Sequence, residues 1–119
     1  MFTVRTSYMN EIIIKGVACP LERAASIIGD RWITLILREL FIKGSCRFQD
    51  FSDGIPSISP SLLSNRLKKL LDLSIVELKQ YSAHPPRYDY HLSDKGMDTG
   101  KILMAMREWG EKYTLENET

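Results

Sequence analysis

The sequence predicts an α+β fold, mainly α, and three observations predict it. Apolar residues recur at three- and four-residue steps through most of the chain. Gly29, Gly44, Gly54 and Pro56 separate these helical blocks. Between residues 76 and 92 the period shortens to two, the repeat of a strand with one covered face. With 119 residues and 44% apolar content, the chain suffices for one domain with a core, and leaves little room for a separate catalytic domain.

Residues 1–18 read as an N-terminal arm, with a short strand or the arm's end at 11–15. Pro20 suits the first turn of a helix, in which Leu21, Ala24, Ala25 and Ile28 share a face. Gly29 ends it and Asp30 caps the next helix, "RWITLILRELFIK", which is apolar nearly all round and so predicted to be central and buried. After Gly44, a short helix is expected at 47–52 with Phe48 and Phe51 on its inner side. Gly54 and Pro56 make "DGIPSI" a turn, and Ser59 and Pro60 open a helix over 59–73. Leu63, Leu67, Leu70 and Leu71 form its buried stripe. "VELKQY" (76–81) and "YDYHL" (88–92) then alternate around the loop "SAHPPR", which predicts a hairpin. Ser93 caps a terminal helix with a stripe of Ile102, Met106, Trp109 and Tyr113, widened by Leu103 and Met104. That surplus apolar surface predicts a dimer interface at Ile102, Leu103, Met106, Trp109 and Tyr113. The order is that of a winged helix-turn-helix with a two-stranded β wing and a terminal dimerisation helix. The single domain is placed at 19–113, with a tail at 114–119.

Bulk charge decides little, since the formal net charge is +1. Its distribution says more. Residues 59–95 carry six Lys or Arg against four acids, whereas the stretch from Glu111 to the end has three acids and one lysine. No apolar run reaches the roughly 18 residues of a membrane span, and no long h-region marks a signal peptide. Cys19 and Cys46 are too few for a disulfide framework, so a cytoplasmic, reduced protein is expected. His84 and His91 have no cysteine or carboxylate at ligand spacing, and Trp32 and Trp109 read as core or interface aromatics; no metal and no cofactor is expected. Nor does any nucleophile–base pair, phosphate loop or dinucleotide fingerprint suggest an enzyme, and no catalytic residue is assigned.

The helix at 59–73 carries the functional signal. Opposite its leucines stand Ser61, Ser64, Asn65 and Lys68, short hydrogen-bonding groups followed by charge. A solvated amphipathic face is the bland account. The sharper one is contact with double-stranded DNA. Short polar side chains approach base edges, asparagine pairs with adenine, and Arg66, Lys68 and Lys69 suit phosphates or, for the arginine, guanine. Ser59 with the helix N-terminal amides suits one phosphate, and Arg87, just beyond Pro85 and Pro86, suits a wing finger.

"CPLERAASIIGDRWITLILREL", "RFQDF", "ISPSLLSNRLKKL", "HPPRYDYHLSDKG" and "MREWGEKY" occur in this order over residues 19–113 and resemble the successive signatures of HxlR-type winged-helix regulators, which are MarR-like. The resemblance implies a cytoplasmic prokaryotic homodimer that inserts the equivalent of 59–73 in the major groove. Its hairpin reaches neighbouring phosphates or the minor groove, and N- and C-terminal helices make the dimer. The sequence departs from the family at Ser74, where glycine is usual, and at Thr99, where leucine is common, followed here by Gly100. Serine at a left-handed helix end is expected to strain it or force another ending. Thr99 and Gly100 weaken the start of the last helix.

A subset of the family senses oxidants, electrophiles or quinones through a cysteine at the position of Cys19, which precedes Pro20 at a helix start where the dipole favours thiolate. A buried structural cysteine is the alternative there. Cys46 is expected in a loop, a resolving thiol only if a dimer brings it near Cys19. The reading is thus a sequence-specific DNA-binding regulator, a homodimeric repressor of a pseudo-palindromic operator with half-sites about one turn (~34 Å) apart. Its effector is open between oxidation or alkylation at Cys19, a small apolar ligand at the dimer interface, and none. The competing class is a winged-helix module for protein contacts without a specific DNA site.

Overall fold

The computed structural model describes residues 19–115. The expected arm at 1–18, the strand at 11–15 and residues 116–119 of the tail lie outside the described residues. The architecture is a winged helix-turn-helix, mainly helical, with a small antiparallel sheet. Helix α1 spans Pro20–Ile28 and α2 spans Arg31–Lys43. The two-residue strand β1, Ser45–Cys46, leads to α3, Phe48–Gly54, and α4, Pro60–Asp72. The hairpin is β2, Val76–Ala83, and β3, Pro86–Leu92. It is followed by a single turn α5, Asp94–Met97, and the terminal α6, Gly100–Tyr113.

Helix α2 is central, as its apolar circumference predicts. Ile33, Ile36, Leu37 and Leu40 are buried against Leu63, Leu67 and Leu70 of α4 and Phe51 of α3. Ile55 and Ile58 bury the turn between α3 and α4, which fixes the helix-turn-helix angle. Beneath that turn lies a buried acid. Glu39 pairs with Arg38 at 2.9 Å and Lys43 at 3.4 Å, and Arg38 also donates to the Gly54 carbonyl at 3.1 Å. A side chain at position 54 would strike the Glu39 carboxylate, so glycine there lets the charge cluster close.

The sheet has order β1-β3-β2. The wing proper is two-stranded, and a third strand joins its base: Ser45 pairs with His91 and Cys46 with Tyr90. Cys46 is therefore a buried strand residue and not a loop residue. The wing extends two residues past the alternating pattern on each strand, through a register shift between Gln80 and Ser82. Tyr90 packs edge-on to Phe51 with ring centroids 5.7 Å apart, which anchors the sheet to α3.

Two further expectations need correction. Phe48 is on the surface, 36% exposed, because it is the first residue of a two-turn helix and Phe51 alone faces inward. The last helix is two: α5 ends at Met97, and Thr99 folds its hydroxyl onto the Gly96 carbonyl at 2.7 Å before α6 begins. Gly100 meets the Phe41 ring there, which brings α6 close to α2. Helix α1, whose apolar face the sequence also shows, buries none of its residues fully, and its Leu21 is 48% exposed.

Candidate nucleic-acid interface

Helix α4 is built from its caps inward. Ser59 Oγ accepts the Leu62 N–H at 3.2 Å, and Pro60 occupies the first helical position. Its far end closes in a Schellman arrangement: the Ile75 N–H donates to the Leu70 carbonyl and the Ser74 N–H to that of Leu71, both at 3.0 Å. Ser74 holds the left-handed conformation, φ +58°, so serine does not redirect the ending but takes the strain of it.

With the leucines committed to the core, Ser61, Ser64, Asn65 and Lys68 lie together on one exposed face. Arg66 and Lys69 lie along its edge and turn inward. Arg66 Nε binds Asp30 Oδ2 at 3.0 Å and its Nη1 donates to Asn65 Oδ1 at 2.6 Å. Lys69 Nζ donates to the Ser26 carbonyl at 3.2 Å. These two cations fasten α4 to the end of α1 and the start of α2. Ser59 is engaged as a cap, at the N-terminus of the same face. Arg87 is apart from the helix, exposed near the tip of the wing opposite Ser82.

Two residues at this surface have no local signal in the sequence. Asp30 reads there only as a cap, yet its second carboxylate oxygen holds Arg66, 36 positions on. Arg47 stacks its guanidinium on Tyr81 of the wing, 5.0 Å from the ring centroid. A long-range partner fixes each role.

The two cysteines are in unlike settings. Cys19 is the N-cap of α1, its Sγ accepting the Glu22 N–H at 3.4 Å, and it is 5% exposed. Cys46 Sγ points to the Glu39 carbonyl at 3.7 Å, and burial pushes its thiol up to about 11. That protonated, enclosed sulfur is a poor nucleophile at neutral pH. On α6, Ile102, Met106, Trp109 and Tyr113 are exposed, while Leu103 is half-buried against the core. Among the described residues, no cluster of three metal-ligating side chains occurs, and no helix is long and apolar enough to cross a membrane.

The profile of the HxlR-like helix-turn-helix family matches residues 27–118. The chain belongs to the HxlR-like family. Among its relatives, the HTH-type transcriptional regulator YdeP of Bacillus subtilis is 33% identical over 95 residues, 80% of this chain and 73% of YdeP. Two solved structures resemble this HxlR-like chain. The redox regulator HypR in its oxidised form has a TM-score of 0.73 and 32% identity, covering 82% of this chain and 99% of HypR. Diamide-treated YodB from B. subtilis has a TM-score of 0.66 and 32% identity, over 84% of this chain and 99% of YodB.

Proposed function

We infer that this HxlR-like chain is a DNA-binding transcriptional regulator, a homodimer that reads a pseudo-palindromic operator and represses from it. The observation that carries the reading is the exposed face of α4. Ser61, Ser64, Asn65 and Lys68 share it, and the capped, core-anchored helix holds them rigid. Placed in a major groove, such side chains meet base edges, while the wing with Arg87 and Arg47 reaches the phosphates on either side. Ser59 and the α4 N-terminus approach the backbone, and Lys69 adds charge at the helix edge. The exposed faces of α1 and α6 supply the apolar surface that a second copy would cover.

Cys19 is the proposed switch. Its sulfur closes the first turn of α1, so a disulfide or adduct there would remove the cap and disturb the helix whose far end holds Lys69. Resemblance to HypR and YodB supports a redox effector; a small apolar effector has a candidate seat in the groove of about 720 Å³ between α2 and α6, beside Leu35, Phe41 and Leu103. The deciding experiment measures binding to DNA upstream of the protein's own gene against scrambled DNA. It uses reduced protein, mildly oxidised protein and Cys19→Ser. Selective binding lost on oxidation only with Cys19 present is the expected result. Selective binding indifferent to oxidation removes the switch and keeps the regulator, whereas equal weak binding to both DNAs favours a protein-contact module.

A further inference from the structure

Asn65 stands out on the exposed face of α4 because its carboxamide is held. Arg66 Nη1 donates to Asn65 Oδ1 at 2.6 Å while Arg66 Nε is bound to Asp30 Oδ2 at 3.0 Å. Asp30 is itself fixed, since its Oδ1 accepts the Ile33 N–H at 3.0 Å as the cap of α2. Partial burial pushes the Asp30 carboxyl upward, but the Ile33 N–H and the Arg66 guanidinium outweigh it and hold the group below its ordinary range. An anion is therefore present at neutral pH to anchor the arginine. The chain Asp30–Arg66–Asn65 runs from the first turn of the central helix to the recognition face. Only a guanidinium, with donors on separate arms of a rigid fork, spans both partners at once.

We propose that Arg66 is a positioning residue that sets which base edge Asn65 reads, and that the edge is guanine. An unrestrained asparagine pairs bidentately with adenine, donating to N7 and accepting from the N6 amino group. Here the carboxamide oxygen is turned to Arg66, which leaves the NH2 as the end open to a ligand. Guanine offers only acceptors in the major groove, N7 and O6. The donor that Asn65 presents matches guanine, whereas the adenine amino group would have to share an oxygen that Arg66 already holds by one lone pair and turns toward itself.

This proposal rests on the DNA-binding reading, and one experiment separates their failures. Bound half-sites are selected from a randomised DNA pool by the full chain and sequenced, for wild type, Asn65→Ala and Arg66→Lys. Wild type is expected to prefer guanine over adenine by about tenfold at one base pair per half-site, and Asn65→Ala to flatten that position alone. Lysine at 66 keeps a cation for Asp30 but has no second arm. Arg66→Lys is therefore expected to move the guanine-to-adenine ratio toward adenine by roughly tenfold at that base pair. Should Arg66→Lys fail to fold, Asp30→Asn retains a capping side chain, frees the arginine and is expected to shift the same position. A purely structural role would lower affinity for all sites alike. That outcome, or adenine preferred by wild type, overturns the proposal and leaves the regulator standing; absence of any selected sequence overturns both.

Discussion

Ser74 shows how much a single residue can carry. It occupies a left-handed helix end that costs a non-glycine residue about 1 kcal/mol. Ser93 Oγ donates to its carbonyl at 2.6 Å and Lys95 Nζ to that of Leu73 at 2.7 Å, so the cap and first turn of α5 hold the strained turn in place. Ser74→Gly relieves the Cβ clash at a cost in unfolded-chain entropy, and is expected to stabilise the protein by about 0.5 kcal/mol or more. Thermal unfolding should show a midpoint roughly 2–4 °C higher for Ser74→Gly, and no rise for Ser74→Ala. At Cys46 the sensitive variable is pH. Burial keeps its thiol neutral in the folded state up to about 11, against 9.0 in an exposed thiol. Because the unfolded chain gives up this proton first, the stabilisation is complete below pH 9.0 and fades as pH rises toward about 11. Urea unfolding of wild type and Cys46→Ala should therefore show a stability gap that narrows between neutral pH and about pH 10. A gap that stays constant would mean the thiol is not held neutral.

At the scale of elements, the structure explains which parts could be read from sequence. Helix α4 was legible because everything that defines it is local: the cap at Ser59, Pro60, and leucines at helical spacing. Helix α2 was legible for the same reason. Strand β1 was not, since two residues carry no period and Ser45–Cys46 become a strand only by pairing with Tyr90 and His91, some 45 positions on. The register shift near Ser82 hides the outer wing in the sequence by breaking the alternation that marks a strand. On the exposed polar face of α4, residue types and spacing pointed to Ser61, Ser64, Asn65 and Lys68, but nothing local could reveal that Arg66 turns to Asp30. The division of the last helix was signalled by Thr99 and Gly100, though not its cause. Helix α5 sits against the start of β2, where a Cβ on buried Gly96 would collide with the Ile75 carbonyl. Backbone on both sides of that contact leaves no flexible group to yield. Gly96→Ala is expected to destabilise by about 2–3 kcal/mol, seen as a lower urea midpoint with an unchanged slope. A near-neutral result would show that α5 is free to lift from the sheet.

At the scale of the whole molecule, α6 leaves an apolar stripe uncovered. Trp109 and Tyr113 are 62% and 60% exposed and pack against each other at a tilt of 46° with centroids 5.4 Å apart. Two large aromatics left in water, with Met106 and Ile102 along the same stripe, form a patch of the kind that anchors interfaces. A helix-turn-helix dimer places its recognition helices about 34 Å apart, so the partner's α4 would meet the next major groove on the same side of the duplex. Disrupting the stripe should then separate two properties that a folding defect would damage together. Trp109→Glu is expected to leave the melting of the monomer fold nearly unchanged, because this side chain belongs to the surface of the isolated chain. In analytical ultracentrifugation the mass should fall from dimer to monomer. Binding to a two-half-site operator should weaken to the level of one half-site, and the slope of affinity against salt should drop by roughly half, because half the phosphate contacts are lost. If Trp109→Glu remains dimeric with an undiminished salt slope, α6 is not the interface, and the exposed face of α1 with Leu21 becomes the surface to test.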